Sequence, residues 1–121
     1  MSSILKSTKQ ILGISPDDDS FDADIIIFIN TAFSILTQMG IGPAEGFKIL
    51  DADAEWSDYT NDDSKVSMVE SYIPLKVRLL FDPPTSTPVM ECLNRMISEL
   101  EWRLQTEFET KNIDKEEIQN E

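Results

Sequence analysis

The residues of this sequence that most resemble a functional site, by type and spacing, are acidic. Asp51, Asp53 and Glu55 alternate with alanines, and Asp62 stands at the twelfth position counted from Asp51. Carboxylates at such positions bind calcium in EF-hand loops. However, the sixth position is Trp56, where such a loop needs glycine for its sharp turn, and no helix clearly leads into it. We predict a solvated acidic loop and no metal; a calcium-dependent interaction module is the weakest reading.

Other catalytic groups are scarce. The chain has no histidine, and its four glycines are too dispersed to form a phosphate-binding loop. The single cysteine, Cys92, falls beside an apolar helical stripe, which predicts a buried structural thiol and not a reactive thiolate. The paired carboxylates lie in loops where no apolar pocket is evident to raise a pKa. The sequence therefore predicts a non-enzyme without a cofactor, whose function lies in its surfaces.

Charge is distributed unevenly along the 121 residues, whose net charge is −13. Residues 1–16 carry +2 and residues 17–63 carry −11, whereas residues 64–106 are balanced and residues 107–121 carry −4. With no basic patch, the chain is not expected to bind nucleic acid by neutralising phosphates. The acid keeps the protein soluble, repels DNA or mimics it.

Chain length and cysteine content indicate the number of domains and the cellular compartment. A chain of this length predicts one domain with a core of its own. A single cysteine excludes an internal disulfide and favours a reducing compartment. No stretch is apolar enough to span a membrane, and the N-terminal residues lack the apolar core of a signal peptide.

Two helices are predicted in the first third of the chain. Ser2 or Ser3 caps the first helix, and Gly13 ends it. Ser20 or Asp22 caps the second helix, which is predicted over residues 25–39.

The second helix has more apolar surface than one buried face requires. Ile27 falls among its polar residues, and Ile35 lies at the margin of its apolar face. Either this helix is central to the domain, or these two side chains meet another subunit.

The connection over residues 44–61 shows no helical pattern. Its apolar residues are spaced for a short strand or hairpin: Phe47, Ile49, Ala52 and Trp56. The aromatic pair Trp56 and Tyr59 indicates that the connection packs, either against its own domain or against a partner.

The third helix contains a proline. Asp63 or Ser64 is predicted to cap it, and Pro74 removes the hydrogen bond to Glu70. The helix is therefore either kinked at this proline or split into two pieces near Ile73.

A rigid corner, Asp82-Pro83-Pro84, then reverses the chain. Ser86 or Thr87 caps the last helix, which forms a helical hairpin with the third. Its predicted buried stripe is Val89, Leu93, Met96, Ile97, Leu100, Leu104 and Phe108, and its solvated face is Glu91, Arg95, Glu99, Arg103 and Glu107. Trp102 is predicted to join the intrachain core, with a contact to a neighbouring subunit as the alternative.

The predicted fold is mainly α. A four-helix domain over residues 1–108 has a long connection between its second and third helices, which includes the short hairpin. Residues 109–121 have too little apolar content to pack, which predicts a flexible acidic tail or one that orders on binding.

Two segments of the helical hairpin carry a family resemblance. Residues 75–86 read LKVRLLFDPPTS, and residues 99–104 read ELEWRL. Together they resemble the head–tail connector family of tailed phages, the small helical adaptors that dock below the portal. The order of helices and loops over residues 3–108 is similar too, although Pro74 departs from the family pattern.

The resemblance implies a structural role in the virion, after a stage in the host cytoplasm. It implies a dodecameric ring beneath the portal that extends the DNA channel, lets DNA pass without specific binding, and offers a platform to the next completion or tail protein. It also implies that the C-terminal part contacts the portal. No membrane is involved, and an isolated subunit is expected to be a monomer or a weak, heterogeneous oligomer.

The residues named for a subunit or partner interface are Ile27, Ile35, Trp56, Tyr59, Trp102, Arg103, Glu109, Ile113 and Ile118. An acidic DNA mimic that inhibits a DNA-binding protein is the alternative function. It needs carboxylates at phosphate-like spacing on a rigid face, whereas most acids here fall in loops and in the tail.

Overall fold

Five helices make up the fold in a computed structural model, which describes the backbone of residues 3–60 and 62–119 and the side chains of residues 3–60 and 62–107. They are α1 (Ile4–Leu12), α2 (Asp22–Gln38), α3 (Trp56–Tyr59), α4 (Asp63–Phe81) and α5 (Thr87–Gln119). The mainly helical prediction is confirmed, with one short helix added.

Helix α1 begins and ends as its sequence predicts. The Ser3 hydroxyl accepts a hydrogen bond from the Lys6 N–H, which is the N-cap arrangement. Gly13 has a φ of 79°, and its N–H and that of Ile14 bond to the carbonyls of Gln10 and Lys9. This Schellman closure needs the left-handed backbone that glycine supplies.

Helix α2 starts differently from the prediction. Phe21 occupies the cap position and makes no side-chain cap bond, so neither Ser20 nor Asp22 is the cap. Asp22 is instead the first helical residue, and its carboxylate pairs with the Lys9 ammonium at 2.8 Å.

The long connection forms no hairpin among its described residues, so that part of the prediction is wrong. The backbone N–H and C=O groups of this extended segment form hydrogen bonds with side chains, and not with a second strand. The Asn30 amide donates to the Ile49 carbonyl and accepts from the Ile49 N–H, and the Ser3 hydroxyl donates to the Ala52 carbonyl. One isolated bridge joins Ser3 to Glu55, directly before the helical turn of α3.

Helix α4 is the central element, since it packs against α1, α2, α3 and α5. Asp62 caps it by accepting from the Ser64 N–H, one residue earlier than the predicted Asp63 or Ser64. The helix continues through Pro74, so the alternative of two separate pieces is wrong. Its buried side chains, Val69, Tyr72, Ile73 and Val77, join those of α1 and α2 in one core.

Helix α5 forms the second arm of the predicted hairpin. Leu93, Ile97 and Leu104 are buried against the core, but Val89 and Met96 are exposed, contrary to the predicted stripe. The stripe is narrower because, over the described residues, α4 is the helix against which α5 mainly packs. The Phe108 side chain lies outside the described residues.

The register of the hairpin is set by a hydrogen bond from the Tyr72 hydroxyl to the Glu101 carboxylate, at 2.8 Å. Asp63, the first residue of α4, precedes Tyr72 by nine residues, so in this antiparallel pair it lies level with about residue 110 of α5. The backbone of α5 therefore continues for about two and a half turns past the beginning of α4. The predicted flexibility of residues 109–121 stays a prediction.

Candidate assembly surfaces

The acidic residues of the calcium-like spacing cap turns and helices. The Asp51 carboxylate accepts from the Asp53 N–H, and Asp62 caps α4. Glu55 and Asp58 form a capping box around α3, with the Glu55 N–H donating to the Asp58 carboxylate at 2.8 Å. Their positions are thus explained by local backbone hydrogen bonding. Over the described residues, no three His, Cys, Asp or Glu side chains converge as metal ligands.

We call the region of the α2–α4 connection, residues 39–62, the loop end of the molecule. Trp56 and Tyr59 are 3% and 6% exposed there, and the Trp56 indole N–H donates to the Ser7 hydroxyl. Both side chains therefore pack in the chain's own core, which is one of the two predicted alternatives for this pair. Their assignment to an interface stays a prediction.

Tyr59 is enclosed by its neighbours at the loop end. Its ring contacts those of Phe33 and Phe47, with centroids 5.0 and 5.3 Å away. Burial raises the pKa of the Tyr59 hydroxyl to about 12. A β-carbon on Gly42 would clash with this hydroxyl, so the close approach requires glycine.

Helix α5 presents Trp102 to solvent. Its side chain is 65% exposed, so the predicted intrachain packing is wrong. Arg103 is also exposed and pairs with Glu99 at 2.7 Å, one turn earlier on the same helix. Cys92 is exposed as well, which corrects the prediction of a buried thiol. The outward face of α5 thus carries an unpartnered indole.

The remaining interface candidates are divided between α2 and the end of α5. Ile27 is 60% exposed on α2, whereas Ile35 is half-buried. Among the apolar side chains from residue 25 to the end of α2, Ile27 is the exposed one. The side chains of Glu109, Ile113 and Ile118 lie outside the described residues.

An aromatic cluster lies at the opposite end of the bundle, where α2 begins and α4 ends. The Phe81 ring packs edge-on against Phe21, with centroids 5.7 Å apart, and against Phe28 at 6.0 Å. Phe21 remains 43% exposed, while the other two rings are half-buried. Sequence reasoning missed this cluster, although Phe21 and Phe28 are seven residues apart and so share one face of α2.

The Asp82-Pro83-Pro84 corner directly follows this cluster. With Arg78 and Val89 it lines an open groove between the end of α4 and the beginning of α5. We call this region the corner end: Phe21, Phe28, Phe81, the groove, and the loop of residues 15–20. The predicted structural corner therefore also forms part of an exposed surface.

The Lys9 side chain holds the acidic loop at the corner end. Its ammonium is buried, pairs with Asp22 and donates to the Pro16 carbonyl at 3.3 Å. Asp17, Asp18 and Asp19 remain exposed on this loop. Hydrogen bonds from Ser20 lower the pKa of the Asp18 carboxyl, so it stays ionised below its usual range.

No helix among the described residues combines the length and apolarity needed to cross a bilayer. Large apolar side chains are exposed at the corner end, on the outward face of α5 and at Ile27 on α2, and elsewhere at Ile11, Leu50 and Leu80.

Comparison with known proteins identifies the family. The model of a phage connector protein family matches residues 4–111, which is nearly the whole chain and includes all five helices up to the last turns of α5. No curated protein and no solved structure matches the chain. The family is structural, with a role at the phage head–tail junction. The chain therefore belongs to the phage connector protein family.

Proposed function

We propose that this chain is a subunit of a dodecameric ring that docks below the portal, extends the DNA channel and presents a platform to the next completion or tail protein. The observation that carries the proposal is the family match over residues 4–111. In this proposal the protein reaches the virion from the host cytoplasm.

The distribution of exposed groups supports an assembly role. Trp102 and Ile27 are large apolar side chains on exposed faces of two different helices. A ring needs two different surfaces on each subunit, since one side of every subunit meets the other side of the next. Exposed apolar groups on separate elements suit such a head-to-tail contact.

The charge of the chain supports passage of DNA without binding. With a net charge of −13 per subunit, a ring of copies repels phosphates, so the DNA slides through its channel without adhering. The length of α5 supports a portal contact, because its backbone continues to Gln119, past the level at which α4 begins.

Co-sedimentation with the portal protein of the same phage tests the proposal. Full-length protein is expected to sediment with the portal, and a chain ending at Phe108 is the control that removes the proposed contact. Electron microscopy of the pellet then counts the copies per portal. Failure of the full-length protein to bind would overturn the proposal, and a different count would correct the dodecamer alone.

A further inference from the structure

The corner end combines an apolar surface with an acidic rim. Phe21, Phe28 and Phe81 form a contiguous aromatic surface, of which Phe21 is the most exposed. Asp82 directly follows Phe81, Asp24 lies three residues after Phe21, and Asp17 to Asp19 precede Phe21 on the loop held by Lys9. An exposed apolar patch with a polar rim is typical of a protein interaction site.

From this arrangement we propose that the corner end receives a basic segment of a different phage protein, which places an apolar side chain beside Phe21 and its cations against the acidic rim. This inference rests on the proposed function, because it gives the chemistry of the partner on the ring's platform. Complementary charge brings such a partner to the surface and fixes its orientation.

A second copy of this chain fits the corner end poorly. Of its ten basic residues, Lys9 and Lys65 are buried, while Lys76 and Arg103 are in ion pairs. Among the described side chains, the exposed cations outside the corner end, Lys6, Lys48 and Arg95, lie on three separate parts of the chain, and the segment 107–121 that contains Lys111 and Lys115 has a net charge of −4. A neighbouring copy would therefore bring acid against acid, which opposes association.

DNA is excluded from the corner end by the same charges. The carboxylates of residues 17–19 would face phosphates of like sign, and Arg78 is the one cation that lines the corner groove. The partner that can both pack against the aromatic rings and neutralise the acidic rim is consequently a basic protein segment that carries an apolar anchor.

Photo-cross-linking in assembled phage particles tests this inference. A benzophenone amino acid replaces Phe21, which keeps an aromatic ring in place, and the matched control carries it at Leu50, an exposed apolar residue at the loop end. We expect cross-links from position 21, and not from position 50, to a segment of another phage protein that is rich in lysine or arginine and contains an apolar anchor.

A set of charge variants separates recognition from folding. The triple variant Asp17→Asn, Asp18→Asn, Asp19→Asn is expected to lower the cross-link yield from position 21 several-fold. The matched triple variant Asp53→Asn, Asp63→Asn, Glu107→Asn removes three exposed carboxylates elsewhere and is expected to leave that yield unchanged.

Each other outcome overturns the inference. Cross-links from position 21 to another copy of this chain, to a segment without basic residues, or to nothing above the control would each contradict it. An equal loss of yield in both triple variants would do the same. Immunoblotting of purified particles keeps the proposed function separate: if this chain is present but position 21 fails to capture a basic segment, only the further inference is wrong. If the chain is missing from particles, both proposals fall.

Discussion

The two ends of the bundle each contain an aromatic cluster, but only one is enclosed. At the loop end, Phe33, Phe47 and Tyr59 lie with ring centroids 4.8 to 5.3 Å apart, and Trp56 is buried nearby. At the corner end, the three phenylalanine rings lie farther apart, and Phe21 is largely open to solvent. Similar side chains thus serve the core at one end and remain accessible at the other.

The two clusters differ in exposure because a chain segment covers the rings at the loop end and none of the described segments covers Phe21 at the corner end. The 41–60 connection lies against α2 and is fixed there by the Asn30 amide, by Ser3 and by its own α3 turn. At the corner end, the loop of residues 15–20 is held by Lys9 beside α2, and Phe21 stays exposed. In this chain, the aromatic residues beside a loop belong to the core at the end where hydrogen bonds hold the loop over their rings.

The largest expected effect separates the two tryptophans. Trp56→Ala should lower the free energy of unfolding by about 3–5 kcal/mol, because it leaves a cavity in the core and removes the indole bond to Ser7. Trp102→Ala should change it by no more than about 0.5 kcal/mol, since that side chain is exposed. Urea unfolding of the two variants checks the contrast, and equal losses would contradict it.

Two glycines give the next contrast. Gly42 and Gly13 have φ values of 85° and 79°, but only at Gly42 would a β-carbon meet another side chain, that of Tyr59. Gly13→Ala should cost about 1–2 kcal/mol for the left-handed backbone alone. Gly42→Ala adds about 1–3 kcal/mol of overpacking. Thermal unfolding measures both, and a cost at Gly42 no larger than that at Gly13 would show that the loop end is loosely packed.

Removing the amide that fixes the connection should have a smaller effect. Asn30→Ala leaves the Ile49 N–H and carbonyl without their partner and should cost about 2 kcal/mol. Asn94→Ala, at an exposed position of α5, is the control and should be nearly neutral. Hydrogen exchange of the Ile49 amide in Asn30→Ala locates the change. Protection equal to that of the wild type would mean that the connection is held by its other contacts.

The smallest effect is a dependence on alkaline pH. Unfolded tyrosine ionises near about 10, whereas burial raises the pKa of Tyr59 to about 12 in the folded chain. Since the folded pKa is the higher one, Tyr59 stabilises the fold fully below pH about 10, and this contribution is lost as the pH rises towards about 12.

Tyr72 also contributes stability that is lost as the pH rises, because its pKa is raised in the folded chain. Burial, together with the Glu101 carboxylate that accepts its hydrogen bond, raises the pKa of its hydroxyl. Tyr59→Phe removes a buried hydroxyl that bonds to no other described residue, so it should be near neutral at pH 7 and should reduce the alkaline loss. Unfolding measured from pH 8 to about pH 12 tests this sign, and stability that rises over this range would contradict it.

Local signals in the sequence predicted the helices well. Ser3 and Gly13 are at the ends of α1 as predicted, and the corner at Asp82 joins the last two long helices. These features depend on residues close together in the chain. The family resemblance in residues 75–86 and 99–104 was also readable, and the family match confirms it.

Long-range contacts were the part that the sequence did not reveal. A hairpin was predicted in the connection because its spacing suits a strand, but Asn30 and Ser3 satisfy its backbone from other helices. Trp102 was expected in the core because tryptophan is commonly buried in small domains, but it lies off the periodic stripe of α5 and is exposed. The Phe21–Phe81 contact joins residues 60 positions apart, which no local pattern indicates.

The length and phase of α5 have a consequence for how far each subunit reaches. The helix is anchored by Tyr72 at Glu101, so every residue inserted after about position 107 advances its end by about 1.5 Å and rotates it by about 100°. Removing about seven residues would shorten the reach by about 10 Å while keeping the same face in phase, whereas removing two would barely shorten it but turn that face away. Helical phase and distance can thus be varied almost independently in this subunit.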